Sequence, residues 1–121
     1  MKKLAAVFTL ALVTGLATLA VASESKTISG NLIDVACGTK HRGEAGFADG
    51  HDKDCLLMDK CVASGYAVLT EEGKFLKFDT ESNRKVLQFI KDTEKDTGWK
   101  VSVTGTIDGD MMSVTEISLQ K

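Results

Sequence analysis

All three cysteines and both histidines of this chain lie in a single stretch from Asp34 to Cys61, DVACGTKHRGEAGFADGHDKDCLLMDKC. The residues on either side alternate apolar with polar in short runs that read as strands, so positions 34–65 form one long excursion between the first strand and the second. Connections in compact domains are usually about 4–6 residues, and those beyond about 12–15 carry function or structure of their own. Any fold for this chain must therefore support a large insertion at one edge of a small β-rich core, and the insertion carries the chemically distinctive side chains.

The flanking segments give the element order. Thr27 to Ile33 alternates like a half-buried strand, and Tyr66–Thr70 and Lys74–Phe78 read as two more, joined by Glu71-Glu72-Gly73 in a short hairpin. From Ser82 to Lys95 the period becomes helical: Val86, Leu87, Phe89, Ile90 and Thr93 share a face, Lys91 and Lys95 sit late in the segment, and Gly98 follows as a stop. Trp99, Val101, Val103 and Ile107 then alternate with Ser102, Thr104 and Thr106, and Asp108-Gly109 signals a type I′ hairpin. In the last strand Met112 and Val114 share one parity while Ile117 and Leu119 take the other, which implies a bulge near Thr115-Glu116. Phe75, Phe78, Phe89 and Trp99 are assigned to the core, because a base-stacking platform needs exposed aromatics beside basic residues.

The order β1, loop with a short helix, β2, β3, α, β4, β5 predicts a mainly β fold, an OB-fold-like β-barrel, with Gly30 and Gly105 placed where strands must coil sharply. An open α+β sheet of the same order is the alternative.

The N-terminus sets the compartment. Met1-Lys2-Lys3 is basic, Leu4 to Ala22 is apolar, and the run ends in the small-x-small triplet Ala20-Val21-Ala22. These three regions predict a cleaved signal peptide at 1–22 and a periplasmic or secreted protein; the alternative is a retained anchor, since the run approaches the roughly 20 residues that span a bilayer. Residues 23–121 then form one domain with no membrane association. Loss of Lys2 and Lys3 leaves 13 basic against 17 acidic residues, taking the net charge from −2 to −4, the wrong sign for a nucleic-acid partner.

In an oxidising compartment cysteines pair, but three cannot all pair within one chain. Asp54 to Ser64 is rich in helix formers and reads as a short helix ending at Gly65. On one helix Cys55 and Cys61 would stand about 9 Å apart along the axis and about 120° apart around it, beyond the roughly 7 Å between Cα atoms that a disulfide allows. Cys37 must then partner one of them. Cys37–Cys61 is preferred narrowly over Cys37–Cys55, its loop restricting the unfolded chain by about 3.5 kcal/mol.

A metal site competes with this staple. Cys37 and His41 are four apart, as are His51 and Cys55, and thiolate with imidazole suits zinc or copper, so the candidate ligands are Cys37, His41, His51, Cys55 and Cys61, with Cys55 and His51 as the core pair, His41 and either Cys37 or Cys61 completing the set, and Met58 as a further soft donor. A redox-active or catalytic thiol, with His51 and Asp52 or Asp54 activating Cys55, is the third reading. No C-x-x-C-H for c-type haem is present.

The segments SGNLIDVACG, CLLMDKCVASGYAV, GKFLKFD and VSVTGTIDGD carry a resemblance, covering nearly all of the chain after residue 22, to a group of small exported bacterial proteins with three cysteines in this order. The resemblance implies export and a shared cysteine framework; it carries no activity and no catalytic residue. The leading expectation is an exported binding protein with a soft-metal site in its first loop. The alternative is a disulfide-stapled module that binds a protein or small ligand without metal. A thiol-based enzyme ranks last.

Overall fold

The computed structural model describes residues 24–121 together with Gly15, and the signal expected at 1–22 otherwise lies outside the described residues. Among the described residues no helix is long and apolar enough to cross a membrane. Five strands, β1 (Lys26–Asp34), β2 (Tyr66–Thr70), β3 (Phe75–Phe78), β4 (Lys100–Asp108) and β5 (Met111–Leu119), form a mixed sheet in the order β1-β2-β3-β5-β4. Every pair is antiparallel except β3 with β5.

The length of β1 makes this arrangement possible. Its first six residues pair with β4 from Gly105 back to Lys100, and its last five pair with β2 from Thr70 back to Tyr66. Gly30 and Asn31 pair on both sides, so β1 links the two halves and leaves each strand with two neighbours. An open sheet would instead present two unpaired edges. Close approach of backbones makes both strand glycines obligatory: a Cβ at Gly30 would collide with the Leu69 carbonyl, and one at Gly105 with the Ser113 carbonyl.

Opposite Gly105 the ladder slips. Thr104 faces Glu116 and Gly105 faces Val114, so Thr115 is the extra residue of a bulge at the place where the apolar parity changes. The β4–β5 turn differs from the expected type I′. Gly109 has φ 63°, but Asp110 does not take a positive φ, and a turn with only its first central residue in that region is of the II′ kind.

The long helix, α5 (Thr80–Asp92), starts and stops earlier than its periodicity suggests. Asp79 caps it by accepting from the Ser82 N–H at 2.8 Å, and Thr93 turns to extended backbone, so the chain leaves the helix before Gly98. Ser82, Val86 and Ile90 recur every four residues on its buried face. They meet a core that includes Leu32, Val68, Val101, Val103 and Met112, and Trp99 stands edge-on to Phe89 with ring centres 6.2 Å apart. The hydroxyl of Ser82, itself buried, accepts the Val114 N–H at 2.7 Å beside the bulge and so ties α5 to β5.

The excursion is made of four short helices, α1 (Val35–His41), α2 (Phe47–Gly50), α3 (Lys53–Leu56) and α4 (Asp59–Ser64). The single helix expected over Asp54–Ser64 is broken in two at Leu57-Met58, where Met58 is extended. Packing explains the break. Leu56 and Cys61 are both fully buried, yet on a continuous helix residues five apart would point about 140° away from each other. The helix-based exclusion of a Cys55–Cys61 bridge therefore loses its premise.

Ser82→Ala leaves the buried Val114 N–H without its acceptor and is expected to cost about 1–3 kcal/mol. Urea denaturation should show a lower midpoint at an unchanged slope; an unaltered midpoint would mean that this bond does not hold α5 in place.

Candidate functional site

The site is built on the last residue of β1. Asp34 is fully buried, and its two oxygens serve different elements: Oδ2 accepts the Cys37 N–H at 2.8 Å, capping α1, and Oδ1 lies 2.7 Å from Nε2 of His51. The cap places Cys37 in the first turn of α1, beside Asp34. Its counterpart on α4 is Cys61, fully buried, which packs close because α4 is fastened to the start of α1. The Val35 N–H donates to the Gly65 carbonyl at 2.8 Å, and the Ala36 N–H to the Ser64 hydroxyl at 3.1 Å.

His51, only 5% exposed, lies between α2 and α3, and the chain on each side of it is anchored. Before it, Asn31 Nδ2 donates to Asp49 at 3.3 Å; after it, the Lys53 N–H donates to the Asp96 carbonyl and Lys53 Nζ to the Thr93 carbonyl, each at 2.8 Å. The Phe47 ring stands between the two histidines, its centre 5.1 Å from that of His51 and 5.3 Å from that of His41. Below, the buried hydroxyl of Tyr66 donates to the Leu56 carbonyl at 2.7 Å and holds the end of α3.

Electrostatics in this space oppose thiolates. Burial alone would raise the Asp34 carboxyl, but hydrogen bonds from His51, from the Cys37 N–H and from the Cys61 thiol outweigh it and hold the group at about 2. The resulting carboxylate acts on its neighbours. Burial, the bond to Asp34 and the proximity of Cys37 push the Cys61 thiol up to about 12. Burial and the Asp34 charge raise Cys37 as well. Cys55 is raised first by its hydrogen bond to Asp52 and then by burial. Tyr66 is pushed up to about 12, mainly by burial and then by Asp34. An activated cysteine nucleophile needs the opposite setting, one that favours the thiolate.

A liganding oxygen of Asp34, the Cys37 sulfur and a ring nitrogen of His51 all lie within 4.8 Å of one another. Two of the five expected ligands, Cys37 and His51, thus belong to a compact donor group, and Cys61 adjoins it through Asp34 and Cys37. His41 stands outside: its Nδ1 is 2.9 Å from the Glu44 carboxylate and the side chain is 43% exposed. Spacing of four placed it on the helix of Cys37, but at the solvent end. Cys55 faces Asp52, the cap of α3, and Met58 is exposed, so neither joins the group. All three cysteines are free thiols, with Cys37 and Cys61 as neighbours where a bridge was preferred. The spacing of cysteines and histidines missed Asp34. An aspartate three residues before Cys37, just after a strand, is a helix-cap pattern that could have revealed it.

The depressed Asp34 carboxyl makes stability depend on pH. Its contribution, roughly 2 kcal/mol for a group moved from 3.8 to about 2, is fully present above about pH 4 and is lost as the pH falls through about 2. Denaturation midpoints measured across that range should fall for the native sequence and fall less for Asp34→Asn, whose remaining dependence belongs to the lowered caps Asp52 and Asp79. Equal slopes in the two proteins would show that Asp34 is not held ionised by this network.

No family model matches this chain, and comparison with curated proteins and with solved structures finds no match.

Proposed function

We propose that this is a small exported binding protein, an OB-like barrel whose excursion holds one zinc ion through Cys37, His51 and Cys61 with Asp34 as the fourth ligand. The observation that carries this reading is the convergence of oxygen, sulfur and nitrogen donors from β1, α1 and the α2–α3 junction within 4.8 Å in a buried place. Thiolate, imidazole and carboxylate in a four-coordinate set suit zinc, and the carboxylate oxygen favours zinc over the copper alternative. Ligands of a tetrahedral zinc at about 2.0–2.1 Å stand about 3.3 Å apart, so an entering ion would part the His51–Asp34 bond by roughly 0.6 Å.

Charge gives the second support. Ionising Cys37 and Cys61 beside the Asp34 carboxylate is unfavourable because like charges would gather in a buried space, and a dication removes that penalty. Zinc binding would accordingly release protons and strengthen as pH rises. Export is supported by the basic-apolar-small pattern of residues 1–22, and the barrel by pairing of every strand on both sides.

A second reading, a permanent Cys37–Cys61 staple in a module that binds a protein or small ligand without metal, is favoured by the nearness of those two thiols. The two readings separate in one measurement. Reduced protein at neutral pH, freed of loose metal, should retain one equivalent of zinc. Cys37→Ala and His51→Ala should each weaken zinc binding at least tenfold, while His41→Ala and Cys55→Ser leave it unchanged. Retention of no zinc by the reduced native protein, together with protein purified without reductant that lacks two hydrogens and keeps one alkylatable thiol, would establish the staple instead.

A further inference from the structure

We infer that Cys37 and Cys61 are a dithiol couple whose oxidation by a small disulfide closes a bridge and expels the zinc, making the site a redox-controlled one. The inference rests on the zinc reading and adds its regulation. Two ligands of the proposed set are each other's neighbours, and their exposure differs: Cys37 is half-buried, whereas Cys61 is fully enclosed. An external disulfide can therefore reach only the first. The helices that carry them are joined backbone to backbone and backbone to side chain by Val35 with Gly65 and Ala36 with Ser64, contacts that do not depend on a metal.

The exchange balances without a further reactant. The Cys37 sulfur, which zinc would hold as a thiolate against the Asp34 charge, attacks a low-molecular-weight disulfide RSSR, forming a Cys37–S–S–R bond and releasing one RS⁻. The Cys61 thiolate then attacks the Cys37 sulfur, forming the protein disulfide and releasing a second RS⁻. The two protein sulfurs are oxidised by two electrons in all, RSSR is reduced to two RS⁻ that take protons from solvent, and zinc leaves as the unchanged dication. A disulfide sulfur no longer offers the thiolate charge, so two of four ligands vanish at once.

Hydrogen bonds within the chain would carry the fold through this loss. The bridge consumes the Cys61 thiol that bonds Asp34, but the carboxylate keeps His51 at 2.7 Å and the Cys37 N–H at 2.8 Å, and no buried polar side-chain atom among the described residues lacks a hydrogen bond. Removal of the ion leaves no stranded charge, in contrast to sites whose carboxylate depends on the metal. Cys55 is hydrogen-bonded to Asp52, although it also feels the charges of Cys37 and Asp34, and is the thiol left over.

The experiment uses the full chain after residue 22, reduced and loaded with one equivalent of zinc, then treated with glutathione disulfide. A chromogenic chelator follows released zinc, and peptide mass spectrometry locates the bridge. One zinc should be released for each Cys37–Cys61 bridge, with two equivalents of reduced glutathione formed and Cys55 still alkylatable; dithiothreitol should restore zinc binding. Cys55→Ser should behave in the same way. A bridge that includes Cys55, or zinc that stays bound after the Cys37–Cys61 bridge has formed, would overturn the inference while leaving the zinc reading intact. Failure of the reduced protein to take up zinc would end both, and is recognised at loading, before oxidant is added.

Discussion

A buried carboxylate at the end of β1 organises everything around the excursion. Taking an ionised group out of water is costly unless its hydrogen-bonding capacity is met, and Asp34, fully enclosed, can be met only by groups brought from elsewhere in the chain. The Cys37 N–H supplies one contact and fixes where α1 begins. His51 supplies another, beside the Cys61 thiol, and obliges the chain to return to the same point after α2. Glycine-rich residues 42–50 have little apolar surface with which to fold by themselves; the Asp34–His51 bond, with the anchors at Asp49 and Lys53, gives them a place.

That return is possible because the sheet uses β1 in two registers. Its early half is committed to β4 and its late half to β2, so the C-terminal end of β1 emerges where α1, α4 and the start of β2 meet. The parallel β3/β5 contact completes the closure, and α5 covers the core from β5 through the bond between Ser82 and Val114. The excursion thus rests against a frame whose strands satisfy one another, and its four short helices need only pack against that frame and not contribute to its pairing.

Within the site, the same carboxylate that assembles the structure sets its chemistry. A negative charge beside Cys37 and Cys61 keeps both thiols protonated and disfavours the thiol-enzyme reading, since a nucleophile there would have to ionise against Asp34. Two processes relieve that opposition: arrival of a cation, and removal of the protons through oxidation to a neutral disulfide. The zinc and disulfide readings answer one electrostatic problem, which is why both draw on Cys37 and Cys61.

Elements whose patterns are local were legible in the order of residues. Alternation set all five strands to within a residue or two, the change of parity located the bulge at Thr115, and helical period gave α5, although it begins at Thr80, before Ser82, and ends earlier than Gly98 implied. The spacing of cysteines and histidines also selected the right stretch of chain. Which of its side chains meet depends on how the chain folds back on itself. His41 and Cys55 share spacing with Cys37 and His51 yet point toward Glu44 and Asp52, and Asp34, which no cysteine–histidine pattern includes, lies at the centre. The helix over 54–64 failed for the same reason: burial of both Leu56 and Cys61 demanded a break that local propensity does not encode. Periodicity reports how a segment faces its own core, whereas convergence of residues 34, 37, 51 and 61 depends on how separate segments are folded back, and that was settled by the need to satisfy one buried charge.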